Sequence, residues 1–285
     1  MTNLFNELHK EEFSKALNSK NNKILEETVI FQILKIILDE NTKSFHKTLS
    51  AGTQLFRCRE LDGHKGNKYS EDGITVTKDG SGKFISTGFD SYNSKENPFG
   101  KFGAGRVNLS GMAYLYLAEE EYTACAEIKP LNETLISLAT FELKKDISVI
   151  DLKTDTSYSE FLELAEKTHV DMKELLTWIM RRFCIPVKDS EDYYITQVIS
   201  DYIRRAGYDG IRFQSAMSGG TNVALFNCHE SYVQFVSSRL VCVPETQIRI
   251  LDLNSGNRIK NPNSSKLSDD EEIENTRNLL LNKLK

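Results

Sequence analysis

The 285-residue chain is longer than most single domains but within the reach of one large α+β unit. With 39% hydrophobic and 27% charged residues, it has the composition of a globular protein that buries a sizeable core, which excludes a disordered chain. A formal charge of −5 and a pI near 5.7 argue against direct binding of nucleic acid or of an anionic membrane, leaving room for a local basic pocket.

Between Ile24 and Asp39, Leu25, Val29, Ile33, Ile36 and Ile37 recur at helical spacing, with Glu26, Glu27, Gln32 and Lys35 opposite them, which predicts one amphipathic helix. Its stripe is expected to pack on the domain that follows; reception of a partner protein is the alternative. The run Gln54-Leu55-Phe56-Arg57-Cys58-Arg59 reads as a short strand. Ten of the 16 glycines then fall between Gly63 and Gly111, among Asn, Ser, Asp and Lys, which predicts a long loop-like insertion. Regular structure resumes with a buried strand over Ala113 to Ala118 and a helix over Glu120 to Ile128, so that Glu127 lies near the helix end. Strands at Leu135 to Leu143 and Ile147 to Leu152 precede helices at Ser159 to Thr168, Met172 to Phe183 and Tyr194 to Ala206. The turn Gly207-Tyr208-Asp209-Gly210 leads to strands at Ile211 to Gln214, Val223 to Phe226, Ser238 to Val243 and Gln247 to Leu253. Mixed runs without strict βαβ alternation point to an α+β fold. The expected organisation is an N-terminal helical segment over 1–50, a main domain over 51–253 with a Gly-rich insertion at about 63–104, and a polar, charged tail over 254–285 ending in a helix from Asp269 to Lys283.

Several familiar patterns fail on inspection. Gly100, Gly103 and Gly105 run as GxxGxG without a strand-then-helix frame, so no dinucleotide fingerprint is present. Gly82-Lys83 lacks the first glycine of a phosphate loop, replaced by Thr77, and its closing hydroxyl, replaced by Phe84. Arg59 and His64 stand at the spacing of certain small helical ribonucleases, but here they run from a strand into a loop. The five cysteines, Cys58, Cys125, Cys184, Cys228 and Cys242, form no CxxC pair, and the five histidines make no HExxH, so no metal is expected. Buried free thiols, no leader-like opening and no bilayer-length apolar run fit a reducing cytoplasm.

The informative segments are Leu55-Phe56-Arg57; Gly105-Arg106-Val107-Asn108-Leu109-Ser110-Gly111; Leu115-Tyr116-Leu117-Ala118; Tyr122-Thr123-Ala124-Cys125-Ala126-Glu127; Gly207 through Ser215; and Asn222-Val223-Ala224-Leu225-Phe226. Each is weak alone, but in this order they closely resemble the RES domain family, over roughly residues 53 to 243. The resemblance implies an ADP-ribosyltransferase-like fold, with a mixed or antiparallel β core and surrounding helices, and an enzyme that degrades NAD by phosphorolysis or hydrolysis. Inorganic phosphate is then a candidate co-substrate, and no resident cofactor is expected. Short members of the family are commonly toxins held inactive by a helix-turn-helix antitoxin, so such an antitoxin or another protein inhibitor is the implied partner. The N-terminal helices, the Gly-rich insertion and the tail depart from the compact members.

On that resemblance the expected catalytic residues are Glu127, Arg57, Tyr116 and Ser215, and the NAD-binding set is Arg57, Arg106, Tyr116, Ser215 and Asn222. Cleaving the nicotinamide–ribose bond passes through an oxocarbenium-like state, so a carboxylate placed by Glu127 would stabilise the developing cation and accept from ribose hydroxyls. A guanidinium on an apolar strand needs an anionic partner, and the NAD diphosphate offers one to Arg57, with Arg106 and Arg59 as weaker candidates; a structural salt bridge is the alternative. Tyr116 can stack on nicotinamide or donate its hydroxyl, although it or Tyr114 can equally belong to the core. Ser215 is expected to bind a phosphate or ribose oxygen, with no histidine nearby in sequence to make it a nucleophile. Transfer of ADP-ribose to a macromolecule, or a non-catalytic module that binds a ligand or partner, remain the competing readings.

Overall fold

Three helices open the chain: α1 (Thr2–Asn18), α2 (Asn22–Glu27) and α3 (Val29–Ile37). The computed structural model describes residues 2–19, 22–39, 43–60, 76–78, 84–86, 88–89, 91–95, 103–131, 134–153, 172–185, 193–243, 250–251 and 258–259. The single helix expected from Ile24 to Asp39 is in fact two, broken at Thr28. That residue is extended (φ −69°, ψ 148°), its hydroxyl accepts from the Phe31 amide at 3.4 Å, and it donates to the Leu25 carbonyl at 2.7 Å. A threonine that caps an orphan amide starts a new helix even where the apolar period runs straight through. The stripe itself turns inward as expected: Ile30, Ile33, Leu34 and Ile37 are buried with Leu175, Ile179 and Ile203, and the Phe31 and Tyr202 rings lie 4.3 Å apart.

The remaining elements are β1 (His46–Leu49), β2 (Gln54–Glu60), β3 (Val76–Lys78), β4 (Phe84–Ser86), α4 (Ser91–Lys95), β5 (Leu115–Ala118), α5 (Glu121–Glu127), β6 (Thr134–Leu143) and β7 (Ile147–Leu152). They are followed by α6 (Met172–Cys184), α7 (Tyr194–Arg205), β8 (Gly210–Gln214), β9 (Thr221–Leu225), β10 (Val233–Val243), β11 (Ile250–Leu251) and β12 (Arg258–Ile259). Eight strands form one sheet in the order β1-β7-β8-β9-β5-β2-β6-β10, antiparallel throughout except for β7 with β8. The architecture is α+β, as the sequence pattern indicates. Strand β1 was not foreseen and falls inside the stretch expected to be helical; it is a short edge strand with one buried side chain, Leu49, so it shows almost no alternation to read.

Strands β5 and β2 meet at one residue pair, Phe56 with Ala118, whereas β2 follows β6 from Gln54 opposite Glu142 to Glu60 opposite Ile136. The sheet is therefore two sub-sheets joined at a point. A buried cluster of Leu49, Leu115, Leu117, Val149, Val223 and Leu225 from the first, with Leu55, Ala139, Phe141, Leu143 and Val233 from the second, draws on no helix. The two halves thus turn the same face toward each other. On the opposite face, α1, α3, α6 and α7 cover the first sub-sheet through Phe13, Ile30, Leu176 and Ile199, packed with Ile150 and Ile211. The N-terminal segment is thus continuous with the main core. Helix α5 covers the second, with Ala124 against Cys58, Ile136 and Leu138. The helices expected at Ser159 to Thr168 and Asp269 to Lys283, and most of the Gly-rich insertion, lie outside the described residues. Among those described, Cys58, Cys125, Cys184 and Cys228 are free thiols, and no helix is long and apolar enough to cross a membrane.

Candidate active site

Glu127 is the last residue of α5, and its carboxylate is gripped from one side. Oε1 accepts from Ser215 Oγ at 2.6 Å and from Asn222 Nδ2 at 2.6 Å, while Oε2 has no protein partner among the described residues. The side chain is exposed, whereas Ser215 and Asn222 are buried. Ser215 follows β8 and opens the hairpin to β9; its amide donates to the Gly220 carbonyl at 2.8 Å. Its hydroxyl oxygen also accepts from the amides of Met217 (3.1 Å) and Ser218 (3.2 Å). The sequence reading gave Ser215 a contact with ligand; the structure instead commits its hydroxyl to Glu127, because the hydroxyl has one proton to donate and both acceptor directions are taken.

The hairpin is also locked onto the first turn of α5. The Glu120 carboxylate accepts from Thr123 Oγ1 at 2.8 Å and from the Thr221 amide at 2.9 Å, and Thr123 and Ser218 hydroxyls lie 2.9 Å apart. A Cβ on Gly220 would collide with Thr123 Oγ1 and stand 2.6 Å from Glu120 Oε2, so only glycine admits this docking. One residue earlier, Glu119 receives Arg212 in two bonds of 2.6 and 2.8 Å, and Arg212 also reaches Asp151 at 2.6 Å. Burial opposes ionisation of Glu119, but the hydrogen bonds and charge of Arg212 outweigh it and hold the carboxyl below its ordinary value.

A cleft of about 440 Å³ opens beside Glu127, where β5 and β2 diverge, and Arg57, Arg106, Tyr116, Lys129 and Asn222 also line it. That volume suits a small-molecule or cofactor-sized ligand. Arg57 pairs with Ala139 and so lies on the pleat opposite Cys58. It borders the cleft without touching Glu127. Its Nη1 donates to the Lys95 carbonyl at 3.0 Å, and no carboxylate among the described residues pairs with it. Burial, and then the neighbouring charge of Arg59, hold Arg57 down to about 10. Burial also lowers Arg59.

Tyr116 and Arg106 have structural partners. The Tyr116 hydroxyl donates to Asn108 Oδ1 at 2.7 Å and accepts from the Val107 amide at 3.0 Å, and burial pushes its ionisation up. A hydroxyl so engaged pins the Gly105–Asn108 loop, rather than being left to donate to a ligand; the ring still faces the cleft wall. Tyr114 packs on Phe226, with ring centroids 5.0 Å apart. Arg106 Nη1 donates to the carbonyls of Arg182 and Ile185 at 2.9 Å each, closing the end of α6, and its guanidinium lies 5.2 Å from the Tyr193 ring centroid. The loop carbonyls are held in turn by Gln197 on Gly105 (2.8 Å) and Thr196 on Arg106 (2.5 Å). A Cβ at position 105 would approach Asn108 Oδ1 to 2.5 Å and the Tyr116 hydroxyl to 2.6 Å, which is why glycine stands there. No group of three or more His, Cys, Asp or Glu among the described residues is placed to hold a metal ion.

A family model described as the RES domain matches residues 82–248. The chain belongs to the RES domain family. The matched stretch of the RES domain contains Gly105, Arg106, Tyr116, Glu127, Ser215 and Asn222 but begins after Arg57, which reaches the cleft through β2. No curated protein matches the sequence. Among solved structures, the chain is similar to one in the crystal structure of the M. tuberculosis MbcT–MbcA toxin–antitoxin complex, at 12% identity and a TM-score of 0.35, over 75% of this chain and 93% of that one. Glu120, Thr123, Ser218, Gln197 and the Arg212 triad escaped the sequence reading: their partners lie between 61 and 101 residues away, except within the first turn of α5.

Proposed function

We propose that this RES domain cleaves the nicotinamide–ribose bond of NAD, with Glu127 as the group that stabilises the developing ribosyl cation. The observation that supports the reading most directly is the Glu127 carboxylate: one oxygen fixed by Ser215 and Asn222, the other without a partner among the described residues, at the edge of a cleft of dinucleotide-compatible size. Fixing one oxygen leaves a preorganised negative charge for the oxocarbenium-like state and an acceptor for ribose hydroxyls. Arg57, a half-buried guanidinium without a carboxylate partner among the described residues, fits the diphosphate. Ser215 and Asn222 act through Glu127 as positioning residues. Tyr116 shapes the wall by holding the Gly105–Asn108 loop.

The leaving group departs with the bonding electron pair as neutral nicotinamide, and phosphate or water adds to the ribose carbon that bore it. The biological role we infer, on the family resemblance, is a toxin or defence effector in the cytoplasm that depletes NAD and is restrained by a protein inhibitor such as a helix-turn-helix antitoxin. Incubating inhibitor-free protein with NAD, with and without phosphate, and weighing the products tests the chemistry. ADP-ribose 1''-phosphate would mark phosphorolysis, ADP-ribose hydrolysis, and label on a macromolecule transfer. NAD left intact under both conditions would refute the proposal.

A further inference from the structure

The Cys58 and Cys125 sulfurs lie 3.1 Å apart, joining β2 to α5 beneath the cleft. Neither is explained by the chemistry proposed above. Cys58 is 6% exposed and packed among Ala118, Ala124, Ile136 and Leu138, while Cys125 is half-buried on the outer turn of α5. A disulfide sulfur–sulfur bond is about 2.05 Å long, so the sulfurs need to approach by only about 1 Å. The remaining described thiols, Cys184 and Cys228, have no such neighbour among the described residues.

We infer that Cys58 and Cys125 form an oxidisable dithiol, a modification site at which a peroxide closes a disulfide between β2 and α5. The roles of the two sulfurs differ. The hydrogen bond shared by the two sulfurs lowers the Cys125 thiol and, followed by burial, pushes Cys58 up. Cys125 is therefore both the more exposed sulfur and the better thiolate. Its thiolate attacks one peroxide oxygen, the O–O bond breaks, and a sulfenic acid forms on Cys125 with release of hydroxide, which is neutralised to water. The Cys58 sulfur then attacks the Cys125 sulfur; the S–S bond forms, the S–O bond breaks, and the Cys58 proton leaves with the hydroxyl as a second water. Two electrons pass from the thiols to one hydrogen peroxide.

The bond would span 67 residues of sequence, from Cys58 through the Gly-rich insertion to Cys125, and would tie the strand that carries Arg57 to the helix that carries Glu127. Closing a loop of that length restricts the unfolded chain, so the oxidised protein should melt several degrees higher than the reduced one.

The test uses the full-length folded protein. It is exposed to hydrogen peroxide, quenched, unfolded in an alkylating reagent and mapped by mass. The expected result is a loss of two hydrogens from the chain, a linked pair of peptides containing Cys58 and Cys125, alkyl label on Cys184 and Cys228, and reversal by dithiothreitol. The melting temperature should rise on oxidation in the parent and stay unchanged in a folded Cys125→Ser variant. Alkyl label on both Cys58 and Cys125 after peroxide, a Cys125 sulfinic acid beside a free Cys58, or a link to another cysteine would overturn the inference. The mapping does not depend on NAD turnover, so it stands or falls separately from the proposed reaction.

Discussion

Glu127→Gln separates charge from geometry at the centre of the site. The glutamine amide oxygen can accept from Ser215 Oγ and Asn222 Nδ2 as Oε1 does, at the same 2.6 Å contacts, so the hairpin and α5 should keep their relation. What disappears is the negative charge. An opposite charge about 4 Å away is worth about 4 kcal/mol at the effective dielectric of a protein site and about 1 kcal/mol in bulk water. Glu127 is exposed at the cleft, and a bound dinucleotide would displace water from it, so a loss of about 2–4 kcal/mol in transition-state stabilisation is expected. That corresponds to a fall in kcat of about 30- to 900-fold, with KM changed far less, because the charge matters most after the bond to nicotinamide begins to break.

Steady-state NAD consumption by the purified variant, followed chromatographically with a thermal melt on the same sample, reads both quantities. The melt should match the parent, since an exposed charge contributes little to stability. A variant that melts normally and turns over NAD within about threefold of the parent would show that Glu127 does not stabilise the ribosyl cation. A variant that no longer folds would instead refute the claim that the glutamine preserves the two hydrogen bonds.

Ser215→Ala removes the donor to Glu127 and the acceptor for two amides, so kcat should fall by roughly 10- to 150-fold, the equivalent of about 1.5–3 kcal/mol for a hydrogen bond to a charged group, in the same NAD assay. Arg57→Met should raise the melting temperature of ligand-free protein by about 2–8 °C by removing a half-buried charge that has no carboxylate partner among the described residues, while abolishing stabilisation by NAD or pyrophosphate; a melt with and without each ligand decides it. Because burial holds folded Arg57 down to about 10, below the value of an unfolded arginine, the penalty is present in full at neutral pH and is relieved only as pH rises past about 10. Arg212→Ala should lower stability by about 3–5 kcal/mol, about 6–20 °C in melting temperature, since it leaves Glu119 and Asp151 without their shared cation. Glu119 sits below its ordinary 4.5, so its contribution is complete above that pH and is lost as pH falls below it; melts of parent and variant should therefore converge in acid.

Much of the site was legible as separate local patterns and little of it as contacts. Helix α5 ends at Glu127 within one residue of where the sequence places its close, and Gly105-Arg106-x-Asn108 is present because Tyr116 must approach that backbone. Composition and spacing do not say that Ser215 would turn its hydroxyl on a carboxylate 88 residues away. They equally hide that Arg106 would close the end of α6 through Nη1, because its partners there are backbone carbonyls that any sequence possesses. The break at Thr28 was missed for the opposite reason: the apolar period continues across it, and only the capping geometry reveals two helices. Alternation fails at β6 too, where both faces are covered and eight successive residues from Thr134 to Phe141 are buried, so its strand character rests on β-branched residues and length.

The position of the cleft follows from how the two sub-sheets are joined. Phe56 and Ala118 make the one residue pair between them, so backbone hydrogen bonding alone leaves the junction open, and the cleft occupies that opening. Helix α5 spans it. Its inner face packs on Cys58, Ile136 and Leu138 of the second sub-sheet, while Glu120, Thr123 and Glu127 are hydrogen-bonded to the β8–β9 hairpin of the first. The helix is short and its apolar face small, so propensity cannot hold it in place; the side-chain bonds at both of its ends must. A carboxylate at the end of such a strut is fixed relative to both walls at once, and any splaying of the sub-sheets must stretch the bonds from Ser215 and Asn222 before it widens the cleft. Electrostatic preorganisation at Glu127 and closure of the junction are therefore one mechanical property, carried by the same few hydrogen bonds.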